Sequence, residues 1–267
     1  VSSQPALAEW MRQFCESAGV LFKATVHSWV SQGNLPEELE PTALVIPGEE
    51  LDLPGSLDAF RDLCRLGRMT SAASLARLVE VVKSCSSALA DQRQAGQVSE
   101  LALDAMHVCL TIAREFVFPT EVGVLAHEVV LAPGLAAAPS EQGVCELIRS
   151  VVAVTQTELN EVAVRGLDGP GVSALVIVDC VKFLDVVVVA LVLRADLRPG
   201  LPAFTDPQQG AATLDAIVRL FLGAITSAPG DPEILHACLA AAEHLSHPRH
   251  PAGAALFELG SWAALVA

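Results

Sequence analysis

From Val172 to Leu193 the chain runs for 22 residues that are nearly all apolar, interrupted by Asp179, Lys182 and Asp185. A run of that length could cross a bilayer. Each of the three charges would cost roughly 2.5–3.5 kcal/mol at a bilayer centre, which argues for a protein interior instead. The charges fall at i, i+3 and i+6, on one stripe of a helix that is expected to face water or a neighbouring loop. The rest of such a helix needs cover on both sides. The reading is a buried central helix over 172–195, with Val176, Cys180, Phe183, Leu184, Val187 and Leu191 touching helices on either flank and no insertion into a membrane.

The chain around it is punctuated in the same manner. Periodic apolar segments predict helices over 5–32, with a possible break at Gly19, and over 57–68, 70–94, 98–117, 140–165, 209–227, 231–245 and 252–266, with a short one around 122–131. In 70–94 the stripe is Leu75, Leu78, Val79, Val82, Cys85 and Leu89. In 98–117 it is Leu101, Ala105, Val108, Cys109, Ile112 and Phe116. Asp231-Pro232 reads as a cap followed by proline in the first turn, and Ser173 as a cap before the apolar run. The valine run 186–189 has strand propensity, but it lies inside a much longer apolar segment without turn residues. Aromatic residues make up 4% of the chain and tyrosine is absent, against a sheet-rich fold and against platforms that stack bases. The fold class that follows is all-α: an α-solenoid of antiparallel helix pairs, HEAT- or armadillo-like, spaced roughly 40–50 residues apart. Residues 1–267 form a single helical-repeat segment, with a compact bundle as the alternative arrangement.

No residue constellation supports catalysis. Gly-x-Ser-x-Gly, His-Glu-x-x-His and Walker-type motifs are missing, and Gly169-Pro170-Gly171 before Ser173 lacks the lysine of a phosphate loop. His107 with Asp104 three residues earlier is the geometry of a helix-surface contact, although the same residue types serve in acid–base pairs. His244, His247 and His250 are three apart, but Pro248 and Pro251 break the helical face a metal would need, and Arg249 sets a cation among them. Seven widely spaced cysteines without a Cys-x-x-Cys pair read as small buried hydrophobes in a reducing compartment. The expectation is a protein that is not an enzyme and holds no cofactor or metal.

The net charge of −15 repels phosphate backbones, so nucleic acid is not an expected partner. The acidity is concentrated in residues 33–55 and just beyond. Four prolines and three glycines there predict a loop without regular structure. Glu37, Glu38, Glu40, Glu49, Glu50, Asp52 and Asp58 stand in 33–58 with no Lys or Arg. Seven uncompensated carboxylates attract a basic protein partner, and the same composition also suits a solvated linker.

Two stretches carry a resemblance. One is 57–116, with Leu-Asp-Ala-Phe-Arg-Asp-Leu-Cys-Arg-Leu-Gly-Arg, a long helix ending near Leu89, then Leu-Asp-Ala-Met-His-Val-Cys-Leu-Thr-Ile-Ala. The other is 173–266, with Val-Lys-Phe-Leu in an apolar helix, a loop holding Ala203-Phe204 and Gly210, a helix pair, and a last helix with Trp262. In order and spacing they resemble the exportin-4 branch of the importin-β (karyopherin) family of nuclear transport receptors. The resemblance implies an internal fragment of a longer receptor, found in nucleus and cytoplasm, that holds protein cargo together with the GTPase Ran in its GTP form. It assigns no individual contact residue. The competing expectation is a HEAT- or armadillo-like scaffold subunit with no dependence on Ran.

Overall fold

The computed structural model describes residues 4–33, 43–46, 49–52, 71–117, 138–188 and 207–246. They form seven helices and one short hairpin: α1 (Gln4–Gln32), β1 (Ala43–Ile46), β2 (Glu49–Asp52), α2 (Ser71–Gln94), α3 (Glu100–Val117), α4 (Ala138–Arg165), α5 (Ala174–Val188), α6 (Pro207–Ser227) and α7 (Pro232–Ser246). The fold is all-α. The helices expected over 57–68, 122–131 and 252–266 lie outside the described residues, as does Leu191. Helix α1 passes through Gly19 without a break.

Local sequence explains where the helices begin and end. At the end of α2, Gly96 takes φ +69°, its N–H donates to Arg93 O (3.1 Å), and the Gln97 N–H reaches back to Gln92 O (3.0 Å). This paired closure satisfies two carbonyls that the last turn leaves over, and glycine enters the left-handed region without a Cβ clash. Ser99 then starts α3. Its Oγ accepts from the Ala102 N–H (3.3 Å), while the Gln92 side-chain oxygen accepts from the Ser99 N–H (2.9 Å). The expected caps of the later helices are formed. Ser173 Oγ accepts from the Val176 N–H (3.5 Å), and Asp231 Oδ1 accepts from the Glu233 and Ile234 N–H groups (3.0 and 2.9 Å).

Short turns make three antiparallel helix pairs, α2–α3, α4–α5 and α6–α7. Packing runs in two rows. In one, α2 lies on α4 and α4 on α6; in the other, α1 lies on α3, α3 on α5 and α5 on α7. Each pair contributes one helix to each row and is closed by its own contact. One continuous apolar core fills the space between the rows. Phe22 of α1 meets Phe116 of α3 in a tilted contact with centroids 5.1 Å apart. Because α2, α4 and α6 begin at Ser71, Ala138 and Pro207, successive pairs start 67 and 69 residues apart, longer than the 40–50 expected.

Helix α5 is the central element, touching α3, α4, α6 and α7. Val176, Cys180, Phe183, Leu184 and Val187 are buried, as the apolar run predicts, and so are Ile177, Val178, Val181 and Val188. Among the described residues no helix is long and apolar enough to cross a membrane. One expectation fails here. Lys182 is exposed and Asp185 half-buried, but Asp179, on the same stripe expected to face water or a neighbouring loop, is buried. A second failure is Leu101, which faces outward at the start of α3 instead of joining the core stripe.

Within 33–55, the described residues 43–46 and 49–52 depart from the expected loop. They form an antiparallel ribbon in which Ala43 pairs with Asp52, Leu44 with Leu51, Val45 with Glu50 and Ile46 with Glu49. The run Ala-Leu-Val-Ile supplies β-branched residues on one strand, and Pro47-Gly48 sits between the two, a pairing of turn residues and strand formers that the loop reading passed over.

Candidate interaction surface and buried polar joints

The acidic residues singled out in the sequence are only partly placed. Glu49, Glu50 and Asp52 lie on β2, opposite Ile46, Val45 and Ala43 in register. Glu37, Glu38, Glu40 and Asp58 lie outside the described residues. His247 and His250 do as well. Among the described residues, no three His, Cys, Asp or Glu side chains converge as metal ligands.

Polar chemistry gathers instead where the helix pairs meet. Arg93, in the last turn of α2, reaches across to α4. Its Nη1–H donates to Glu158 Oε1 (2.8 Å) and its Nη2–H to Oε2 (2.6 Å). The same guanidinium donates from Nε and Nη2 to the Gly171 carbonyl in the α4–α5 turn (3.1 and 2.7 Å). Only 4% of the Arg93 side chain and 2% of that of Glu158 are exposed. The planar fork of arginine matches the carboxylate edge to edge, which a lysine could not do. At the same place the two turns touch. Gly171 has φ +79°, and a Cβ built there would stand 2.5 Å from Val98 Cγ2 in the α2–α3 turn. One buried side chain and one missing Cβ thus set how the second helix pair sits on the first.

A second joint links α3 and α5. His107 Nδ1 contacts Asp179 Oδ2, with 19% of the histidine side chain and 5% of the aspartate exposed. A carboxylate only accepts, so the contact places the proton of a neutral imidazole on Nδ1. His107 thus reaches across to the neighbouring helix, while Asp104, three residues earlier on its own helix, is exposed. This corrects the reading of Asp179 as a charge facing water or a loop. The buried charge on α5 and the histidine on α3 satisfy each other.

The thiols divide into two kinds. Burial pushes the Cys180 thiol up, the carboxylates of Glu158 and Asp179 push the same way, and a hydrogen bond with Thr155 opposes them. Burial, with Asp185 nearby, pushes Cys238 up to about 12. Both stay protonated at neutral pH and are poor nucleophiles. Cys85 behaves differently: a hydrogen bond with Cys109 lowers it. Cys109 and Cys145 are buried, and Cys64 lies outside the described residues.

An open depression of about 610 Å³ lies between α1 and α2, lined by Lys23, Ala24, Ala76, Arg77 and Glu80. Arg77 is already paired with Glu80 on its own helix at 2.8 Å. Neither this depression nor the buried joints bring a nucleophile and a base together in a cleft, and what the joints do chemically is hold helices in register.

Arg93 and Glu158 were not singled out in the sequence, yet both were visible there. Arg93 falls four residues after Leu89 on the apolar stripe of α2, and Glu158 falls between Val154 and Val162 on that of α4. Opposite charges on two core-facing stripes are a pattern for a buried pair. Comparison of the chain with protein-family models, with curated proteins and with solved structures finds no match.

Proposed function

We propose that the chain is an α-solenoid segment that works by binding other proteins and has no chemistry of its own. The observation that supports this reading is the two-row packing, in which, among the described residues, each helix pair adds one helix to each row and packs mainly on the helices before and after it along the row. Stacking of that kind produces extended surfaces rather than a single enclosed pocket. In its specific form the proposal is a non-catalytic segment of a nuclear export receptor, which holds protein cargo with Ran in its GTP form and releases them through small shifts between helix pairs. The resemblance over 57–116 and 173–266 supports that form.

The alternative is a HEAT- or armadillo-like scaffold subunit without Ran dependence; the 67- and 69-residue spacing of the pairs exceeds the roughly 40–47 residues of HEAT and armadillo units and bears on both readings alike. A pull-down separates the two. The purified chain is immobilised and offered Ran locked in its GTP form or loaded with GDP. Retention of the GTP form alone supports the export receptor. No retention, or equal retention of both forms, removes it and leaves the scaffold.

A further inference from the structure

Cys85 on α2 and Cys109 on α3 stand twelve residues before and twelve residues after Gln97, the middle of the turn that joins the two helices. Both helices of an antiparallel pair climb by the same rise per residue, so equal distances from the turn bring two positions to the same level of the seam. The two side chains are close enough there to interact. Cys109 is buried and Cys85 half-buried, so Cys85 is the more accessible of the two. We propose that Cys85 and Cys109 form a redox-modification site, in which a hydroperoxide converts the two thiols to a disulfide across the α2–α3 seam and a thiol reductant restores them.

The two sulfurs are unequal in the sense the reaction needs. The hydrogen bond from Cys109 holds Cys85 below the ordinary thiol value, although burial works against it, while Cys109 is held well above. Cys85 is therefore the nucleophile and Cys109 keeps its proton. In the first step the Cys85 thiolate attacks the outer peroxide oxygen. The O–O bond breaks, an alcohol leaves after taking up a proton, and Cys85 becomes a sulfenic acid. In the second step the Cys109 sulfur attacks the Cys85 sulfur, the S–O bond breaks, and the hydroxyl leaves as water with the Cys109 proton. The peroxide is reduced by two electrons and the thiol pair is oxidised by two. A disulfide requires Cα atoms within about 7 Å, which level positions on two packed helices can supply. Cys180 and Cys238, held protonated, do not compete for the oxidant. The product ties α2 to α3 midway along their seam, which restricts the unfolded chain and stiffens this helix pair.

The test uses the wild-type chain. It is treated with an equimolar alkyl hydroperoxide, quenched with an alkylating reagent and mapped by mass spectrometry. The expected product has lost two hydrogens, carries one cross-linked peptide pair containing Cys85 and Cys109, and returns to two alkylated thiols after dithiothreitol. In Cys109→Ser, dimedone should label Cys85; in Cys85→Ser, Cys109 should remain a thiol at the same dose. Circular dichroism of both variants checks that the helices are intact, and the wild-type map stands if either variant fails to fold. Linkage of Cys85 to a different cysteine, or recovery of Cys85 and Cys109 as free thiols after the treatment, would overturn the proposal.

Discussion

Helices α2 and α4 are joined twice by ion pairs of the same formal charge, and the two joints differ in almost everything else. Lys83 pairs with Glu146 at a level where 54% and 38% of the side chains are exposed. Ten residues further along α2, Arg93 pairs with Glu158 with 4% and 2% exposed. The open pair exchanges water for a partner and gains little, because two long side chains lose freedom and salt screens the attraction. The sealed pair has no water to return to. Its worth lies less in the attraction than in the cost of breaking it, since either partner alone would be a buried charge without compensation. The sealed pair also stands where the α2–α3 turn meets the α4–α5 turn, so it fixes the place at which one helix pair sits on the next. The open pair sits on the outside of the same contact and could be exchanged without altering it.

The sharpest test of this contrast removes one partner from each joint. Arg93→Ala leaves Glu158 buried without its two donors and strips the Gly171 carbonyl of two more. The expected loss is about 3–5 kcal/mol in a urea titration. Lys83→Ala should lose no more than about 1 kcal/mol in the same titration. Replacing both members of the sealed pair, as Arg93→Met with Glu158→Leu, should recover much of the first loss because no charge is then left stranded. Equal losses for Arg93→Ala and Lys83→Ala would mean that burial does not separate the two joints.

The turns provide the next comparison. Gly96 and Gly171 both have positive φ, but a Cβ at Gly96 would meet nothing within 4 Å, whereas at Gly171 it would meet Val98 at 2.5 Å. Gly96→Ala should therefore cost about 1 kcal/mol, from backbone strain alone. Gly171→Ala should cost roughly 1–3 kcal/mol more, from the clash. Thermal melts of the two variants give the difference. Adding Val98→Ala should narrow it for Gly171→Ala and leave Gly96→Ala unchanged. A gap that survives the second substitution would place the strain somewhere other than between the turns.

Much of this architecture is legible along the chain, and the limits have physical causes. Apolar stripes placed α2 and α4 to within a few residues, because a helix that buries one face repeats every three to four residues and is stopped by visible caps. Asp231-Pro232 and Ser173 marked helix starts for the same local reason. Helix α5 was legible as central because an apolar helix needs cover on all sides. What stayed hidden is non-local. The partner of Asp179 lies 72 residues away on α3, and charges spaced at i, i+3 and i+6 look the same whether they face water or a histidine on another helix. Arg93 and Glu158 are 65 residues apart, and nothing local ties them together. The ribbon over 43–52 was missed because carboxylates and prolines outweighed a four-residue run of strand formers. In the acidic segment, composition counted the carboxylates but could not arrange those of 49–52, since arrangement depends on pairing register.

The smallest expected effect belongs to the open pair, and pH brings it out. The hydrogen bond from Lys83, with a smaller contribution from Arg149, holds the Glu146 carboxyl below its ordinary value against slight burial. The folded chain thus gives up this proton more readily than the unfolded chain does. Its contribution is present above the ordinary carboxylate range and is lost as pH falls through the lowered value. Glu146→Gln removes that contribution at neutral pH, and the cost should stay within about 0.5 kcal/mol because both side chains are open to solvent. The difference between Glu146→Gln and wild type should shrink toward zero on acidification, and also in high salt at neutral pH, where screening weakens the same attraction. Urea titrations at neutral and acidic pH, with and without added salt, read both trends. A difference that persists at low pH would mean that Glu146 acts through packing or a neutral hydrogen bond, and the open joint would then resemble the sealed one more closely than its exposure suggests.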